Sequence, residues 1–160
     1  METAYPDILQ KRPLRITSAN ELEKLNALIH DEYFDLSDVT FSKDRRVVEI
    51  PYRRTSHDGP HRTVRNWLIF KTVEVDIIRA VLTIHNVQEY TFKDSARIGT
   101  FSFNTVSYDG RVLRFECCEP LELRMAVSNI NIERRDIEIR GKARITHGLF
   151  WSADSGRVYT

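Results

Sequence analysis

The sequence contains little glycine and little cysteine, and each shortage excludes a class of functional site or bond. Six glycines in 160 residues leave few of the tight turns that phosphate-binding loops, dinucleotide fingerprints and nucleophile elbows require, and none of those motifs occurs. The two cysteines, Cys117 and Cys118, are adjacent, and neighbouring strand side chains point to opposite faces, so a disulfide between them would be distorted. We therefore expect two reduced thiols and a cytoplasmic protein.

Long apolar runs and an excess of one charge are also missing. The most apolar stretch, residues 73–87, is interrupted by Glu74, Asp76 and Arg79, and the N-terminal residues lack the apolar segment of a secretory signal. We therefore expect neither export nor membrane association. The 24 Lys and Arg against 23 Asp and Glu give a net charge of +1, which argues against nucleic acid as a partner.

One amphipathic helix is predicted near the N-terminus, over residues 18–30. Ser18 and Glu21 have the spacing of a capping box, in which each side chain satisfies a backbone N–H at the start of the helix. Apolar residues then recur at helical spacing on one face. They are Leu22, Leu25, Leu28 and Ile29.

From residue 39 to residue 146 the pattern is typical of β-strands. Apolar and polar residues alternate over 121–127, which indicates a strand with one buried face. Asp109-Gly110 predicts a type I′ turn joining two strands, and residues 42–46 are short enough for another hairpin. We expect strand ends at Pro51, near Asp76, at 134–136 and at Gly141, and an exposed loop from 53 to 66.

These elements predict a mainly β fold of the α+β class. With one helix before about eight short strands and no alternating β-α units, an antiparallel sheet should curl into a sandwich or an open barrel. The helix should pack on one face or mouth of that sheet. We expect a single domain over 1–160, with the tail at 147–160 docked by Phe150 and Trp151 because both aromatics favour burial.

Charge is distributed unevenly and suggests two binding surfaces. Residues 1–44 carry five basic and nine acidic residues, whereas residues 45–65 carry six arginines and two acidic residues. Guanidinium groups can bind phosphate or carboxylate with two parallel hydrogen bonds. The candidate anion-binding residues are Arg53, Arg54, His57, His61, Arg62 and Arg65. The candidate residues for a cationic partner are Asp31, Glu32, Asp35 and Asp38.

No catalytic residue, metal site or cofactor is predicted. His57 and His61 have the spacing of a zinc-binding helix, but Gly59-Pro60 between them prevents helix formation. The function expected from these observations is therefore a non-catalytic binding protein, regulatory or inhibitor-like, with a protein partner. Two alternatives use the basic loop at 53–66: binding or hydrolysis of an anionic small ligand, and weak nucleic-acid binding. Homodimerisation through a sheet edge is a further expectation if no Lys or Pro blocks that edge.

Overall fold

The computed structural model describes residues 12–55, 62–66, 70–94, 99–118, 120–148 and 152–159. The elements in chain order are β1 (Leu14–Ile16), a 3-10 turn (Ala19–Glu21), α1 (Leu22–Ile29), β2 (Tyr33–Asp35), a second 3-10 turn (Leu36–Asp38), β3 (Thr40–Ser42), β4 (Val47–Thr55), β5 (Arg62–Asn66), β6 (Phe70–Ile84), β7 (Val87–Asp94), β8 (Thr100–Tyr108), β9 (Val112–Cys117), β10 (Leu121–Val127), β11 (Ile132–Gly148) and β12 (Ser152–Tyr159). None of the helices among these elements is long and apolar enough to cross a membrane.

The strands form one antiparallel sheet that does not close. The order along its main path is β1-β11-β6-β4-β2-β8-β9-β10-β7. Three strands branch from that path: β12 pairs with β11, β3 with β4, and β5 with β6. The predicted fold class, a mainly β fold with a single N-terminal helix, is confirmed.

The main core lies between two parts of the sheet that face each other, and α1 covers it. β4, β6 and β11 contribute one wall, and β8, β9 and β10 contribute the other, because alternate residues of each strand point inward. The buried residues at 121, 123, 125 and 127 confirm the predicted alternation. Helix α1 adds its apolar face of Leu22, Leu25 and Ile29.

β6 and β11 pair along their whole length, from Ile84 opposite Ile132 to Phe70 opposite Gly148. The predicted strand breaks near Asp76, at 134–136 and at Gly141 were therefore wrong. Two register shifts, between Asp136 and Glu138 and between Ile139 and Gly141, let the longer strand follow its partner without ending. Such bulges bend a strand while the ladder continues on both sides.

β4 also continues past its predicted end at Pro51. Pro51 is in register with Val81 of β6, while β3 pairs with β4 up to Glu49 and β2 pairs at Arg53. Among the described residues, no residue of β2 or β3 is in register with Pro51. The N–H group that proline lacks is therefore not needed for pairing on the side of β4 where β2 and β3 lie. The prediction of a loop over 53–66 was wrong at both ends, because 53–55 belong to β4 and 62–66 form β5.

Two local details differ from the sequence predictions. The turn between β8 and β9 is confirmed, but only Gly110 has a positive φ, of 98°, so the turn is not type I′. Asp109 Oδ1 instead accepts hydrogen bonds from the backbone N–H groups of Arg111 and Val112, at 3.0 and 2.9 Å. The capping box is not formed either, because Ser18 Oγ donates to Glu21 Oε1 at 3.0 Å and accepts no hydrogen bond from a backbone N–H of the first turn.

The C-terminal part of the chain extends the sheet. β12 pairs with β11 over the register from Gly141 opposite Tyr159 to His147 opposite Ser152. The two aromatics expected to dock the tail, Phe150 and Trp151, lie outside the described residues.

Candidate functional site

Arg53 and Arg54 are neighbours in β4 and project to opposite faces of the sheet. The alternation of a strand sends residues 48, 50, 52 and 54 to one face and residues 49, 51, 53 and 55 to the other. Arg54 therefore shares the core face with Tyr52, while Arg53 shares the outer face with Glu49 and Pro51. The two arginines that were expected to act together belong to two separate clusters.

The outer cluster lines a cleft of about 630 Å³. β2 and the 3-10 turn after it form one side, β4 forms the floor, and β6 and β11 supply the far side. The lining residues are Phe34, Asp35, Asp38, Thr40, Glu49, Pro51, Tyr52, Arg53, Arg79 and Arg140. Two acidic candidates, Asp35 and Asp38, thus meet one basic candidate, Arg53, in one concave surface.

The cleft carries both signs of charge in equal number, three carboxylates and three guanidinium groups. Arg53 Nη2 lies 3.6 Å from Asp35 Oδ1, and the same oxygen accepts a hydrogen bond from Thr100 Oγ1 at 2.5 Å. On the far side, Arg79 and Arg140 both contact Glu138, at 3.6 and 2.9 Å. The cleft therefore presents charges of both signs next to the apolar ring of Pro51.

The inner cluster is a buried network of charged groups that joins β4 to β11. Arg54 donates from Nε and Nη2 to the two oxygens of Asp136, at 2.9 and 2.5 Å. Arg134 donates from Nη2 to Asp136 Oδ1 at 3.2 Å and from Nε to the hydroxyl of Tyr52 at 2.7 Å. The Asp136 side chain is 0% exposed and that of Arg134 is 2% exposed. Charges this deep are stable only when they are paired and hydrogen-bonded.

β6 lies between β4 and β11, so the network must cross it. Ala80 is the residue of β6 in register with both Tyr52 and Asp136. Its single methyl group leaves room above β6 for the longer polar side chains to meet. A small residue at this position is therefore the condition for the contact between Arg54 and Asp136.

Burial and charge shift two pKa values in this network. Burial raises the pKa of Tyr52 above its ordinary value of 10.0, and the neighbouring Arg134 partly opposes that shift. For Arg54, burial lowers the pKa, but the hydrogen bonds to Asp136 and its negative charge outweigh burial, so the pKa is raised overall. Tyr52 therefore remains a neutral hydroxyl and Arg54 a cation at neutral pH.

The remaining acidic candidates, Asp31 and Glu32, lie at the end of α1 and outside the cleft lining. Asp31 is exposed with a positive φ of 63°. Its Oδ2 is 3.1 Å from His30 Nδ1, and its Oδ1 is 3.8 Å from Cys118 Sγ. The backbone carbonyl of Glu32 accepts from the N–H of Phe103. These contacts tie the chain after α1 to β8.

Two of the other basic candidates lie on a different strand from Arg53 and Arg54. Arg62 and Arg65 lie in β5, in register with Glu74 and Thr72 of β6. His57 and His61 lie outside the described residues. Among the residues whose placement is described, no group of three or more His, Cys, Asp or Glu could hold a metal ion.

Sequence reasoning missed the residues that the cleft takes from distant strands. Arg79 and Arg140 enter it through the pairing of β4 with β6 and of β6 with β11, which local patterns do not reveal. It also missed Arg134 and Asp136, although a signal was present: both alternate with Ile132 and so share its buried face. Charged residues at buried strand positions indicate a paired network.

Comparisons of the chain with protein-family models, with curated proteins and with solved structures gave no match.

Proposed function

We propose that this protein is a non-catalytic binding protein, regulatory or inhibitor-like, whose cleft between β2, β4 and β11 receives a charged segment of a protein partner. The observation that carries the proposal is the equal number of acidic and basic side chains in that cleft. A peptide segment that carries both signs matches such a surface, because each of its charges can face an opposite one. A cytoplasmic location is part of the proposal and is supported by two free cysteines.

The arrangement of the cleft supports binding over catalysis. Its three arginines are ion-paired, Arg53 with Asp35, and Arg79 and Arg140 with Glu138. The paired cleft groups face opposite charges and are held in fixed positions by them. They are suited to holding and orienting a partner.

A second candidate function is the binding of an anionic small ligand in the same cleft. Its supporting observation is that Arg53, Arg79 and Arg140 all line this surface. An anion there would also meet Asp35, Asp38 and Glu49, and the repulsion between their negative charges and the anion would weaken its binding. Nucleic-acid binding through 53–66 has less support, because Arg54 is committed to Asp136. For these reasons we rank the protein segment first.

Selection of peptides from a displayed random library tests the proposal. The library is selected on the immobilised protein, and each selected peptide is then titrated by fluorescence anisotropy. Asp38→Asn removes one cleft charge with little change of shape, Arg79→Gln removes another with a shorter polar side chain, and each should weaken binding by about fivefold. Asp44→Asn, in the exposed turn before β4, is the matched control and should leave the affinity unchanged.

Pyrophosphate titration in the same format separates the two candidates. Peptides that depend on Asp38 and on Arg79 support the first proposal. Pyrophosphate binding that depends on Arg79 and improves in Asp38→Asn, with no peptide selected, would replace it by the anionic-ligand function. A library that yields only peptides insensitive to both cleft variants would contradict the assignment of the cleft.

A further inference from the structure

β7 is the last strand on the main path of the sheet and one of its longer edges. Within the described parts of the chain it pairs with β10 and with no other strand. Its side chains from Gln88 to Lys93 are exposed, apart from the half-buried Tyr90. An edge of this kind presents backbone N–H and C=O groups that can pair with another strand.

The inner face of β7 is incompletely covered. Phe92 is in register with Leu123, and Tyr90 with Met125, both of which are buried. The alternation therefore directs the two aromatics toward the core side, yet Phe92 is 51% exposed. The Phe92 ring packs on Tyr90 with the centroids 6.0 Å apart. A large aromatic that faces inward and stays half exposed indicates that a further strand could extend the sheet at this edge.

The sequence of β7 is complementary to itself in the antiparallel direction. If two copies of the strand pair with Thr91 opposite Thr91, Glu89 of each copy faces Lys93 of the other on the outer face. On the inner face, Tyr90 of each copy faces Phe92 of the other. Opposite charges and aromatic pairs are both favourable cross-strand neighbours. Moving the register by two residues in either direction removes both charge pairs and leaves a single aromatic pair, Phe92 with Phe92 or Tyr90 with Tyr90.

We propose that two copies of this protein associate through β7, edge to edge and antiparallel, with a two-fold axis at Thr91. The interface is isologous, since each copy contributes the same strand to the same contacts. In this register, two facing residues are either both odd-numbered or both even-numbered. Their backbone N–H and C=O groups therefore both point toward the other copy or both point away from it, as an antiparallel ladder requires. The outcome is a sheet that runs continuously through both molecules.

Lys93 has two opposite effects on this edge. A lysine on an edge strand normally disfavours pairing with other proteins, because its charge would be left without a partner in the new ladder. In the proposed register each Lys93 meets Glu89, so the self-association is allowed while most other strands are disfavoured. The charge pair thus makes the edge selective for a second copy of this chain.

Charge reversal in β7 tests the register. Analytical ultracentrifugation of the full chain should show a monomer–dimer equilibrium. Glu89→Lys places like charges opposite each other twice per dimer and should weaken association by about tenfold or more. The double variant Glu89→Lys, Lys93→Glu exchanges the two charges and should restore association. The matched control is Glu116→Lys, an exposed position in β9, an interior strand, and it should have no effect.

Each outcome of this experiment decides the proposal. A wild-type protein that remains monomeric at all concentrations overturns it, and so does a dimer that is insensitive to Glu89→Lys. A double variant that stays as weak as the single one overturns the register centred on Thr91. Far-UV circular dichroism of every variant establishes that the fold is intact, so that a loss of association reports on the edge.

A cysteine crosslink gives an independent measurement. Facing residues in antiparallel strands have Cα atoms about 4.5–5.5 Å apart, which is within the range for a disulfide. In a Cys118→Ser background, Thr91→Cys should form a covalent dimer on mild oxidation. Glu89→Cys should not, because its own counterpart lies well away along the partner strand. Native Cys117 interferes little, since burial raises the pKa of its thiol to about 12. Equal crosslinking at both positions would contradict the two-fold axis.

Discussion

Asp136 accepts hydrogen bonds from Arg54 and Arg134 at a point with no solvent access. Its replacement by alanine would leave two arginines in the core without their shared counter-charge. Removal of one member of a buried ion pair costs about 3–5 kcal/mol, whereas an exposed pair contributes at most about 1 kcal/mol. We therefore predict that Asp136→Ala lowers the free energy of unfolding by several kcal/mol, as measured by urea denaturation.

Glu138 provides the matched control, two residues along the same strand. It forms ion pairs with Arg79 and Arg140, but its side chain is about half exposed. Glu138→Ala should therefore change the unfolding midpoint only slightly. Equal destabilisation by the two alanine variants would show that burial is not what makes the Asp136 network important.

Residue patterns alone could have located this network but not its partners. Arg134 and Asp136 follow Ile132 at intervals of two, which places them on the buried face of a strand. They were instead interpreted as a strand boundary, because buried charge is costly unless it is paired. The pairing depends on Arg54 and Tyr52, more than eighty residues away in sequence. No local pattern contains that information.

The turn between β8 and β9 depends on the ionised form of Asp109. The backbone N–H groups of Val112 and Arg111 donate to its carboxylate, and they hold the pKa of Asp109 below its usual 3.8. A lowered pKa in the folded state means that the carboxylate stabilises the fold at neutral pH and stops doing so as the pH falls through the folded value. We predict that Asp109→Ala is destabilising at pH 7 and that its difference from wild type disappears in acid.

Denaturant unfolding of wild type and variant from neutral to acidic pH measures this difference. Asp44→Ala, in the turn between β3 and β4, removes a charge of the same kind from another exposed turn and serves as the control. A destabilisation by Asp109→Ala that persists unchanged below the folded pKa would mean that the charge is not the cause.

Turns and alternating strands were predictable from the sequence, whereas long bent strands were not. The buried alternation of β10 and the Asp-Gly turn depend on neighbouring residues, and both were predicted at the right positions. β6 and β11 continue through Asp76 and Gly141, because two bulges in β11 keep their registers aligned. A bulge is set by the partner strand, so the sequence of one strand could not predict it.

The pairing pattern predicts where the molecule is most resistant to opening. Residues 77–84 of β6 have β4 on one side and β11 on the other, and most of their side chains are buried. β7 has one strand neighbour among the residues described. We predict that the backbone amides of 77–84 exchange with solvent most slowly in native-state hydrogen exchange. In the Glu89→Lys variant, whose β7 edge is expected to be free of a second copy, the amides of β7 should exchange much faster than those of 77–84. Comparable rates in the two strands would contradict the topology.

The cleft was predictable only in part for the same reason. Asp35, Asp38 and Arg53 were candidates from local charge patterns. The other lining residues come from strands whose order in the sheet was unknown, such as Arg79 and Arg140. A site assembled from β2, β4, β6 and β11 requires knowledge of the topology before its members can be listed.

The central position of β6 has a consequence during synthesis. β4 and β6 emerge from the ribosome with only β5 between them, but β11 follows only after four more strands have been translated. Until residues 132–141 emerge, the segment 77–84 has a partner on one edge only and exposes the other. A nascent chain in that state presents a binding site for a chaperone, and the arrival of β11 removes it.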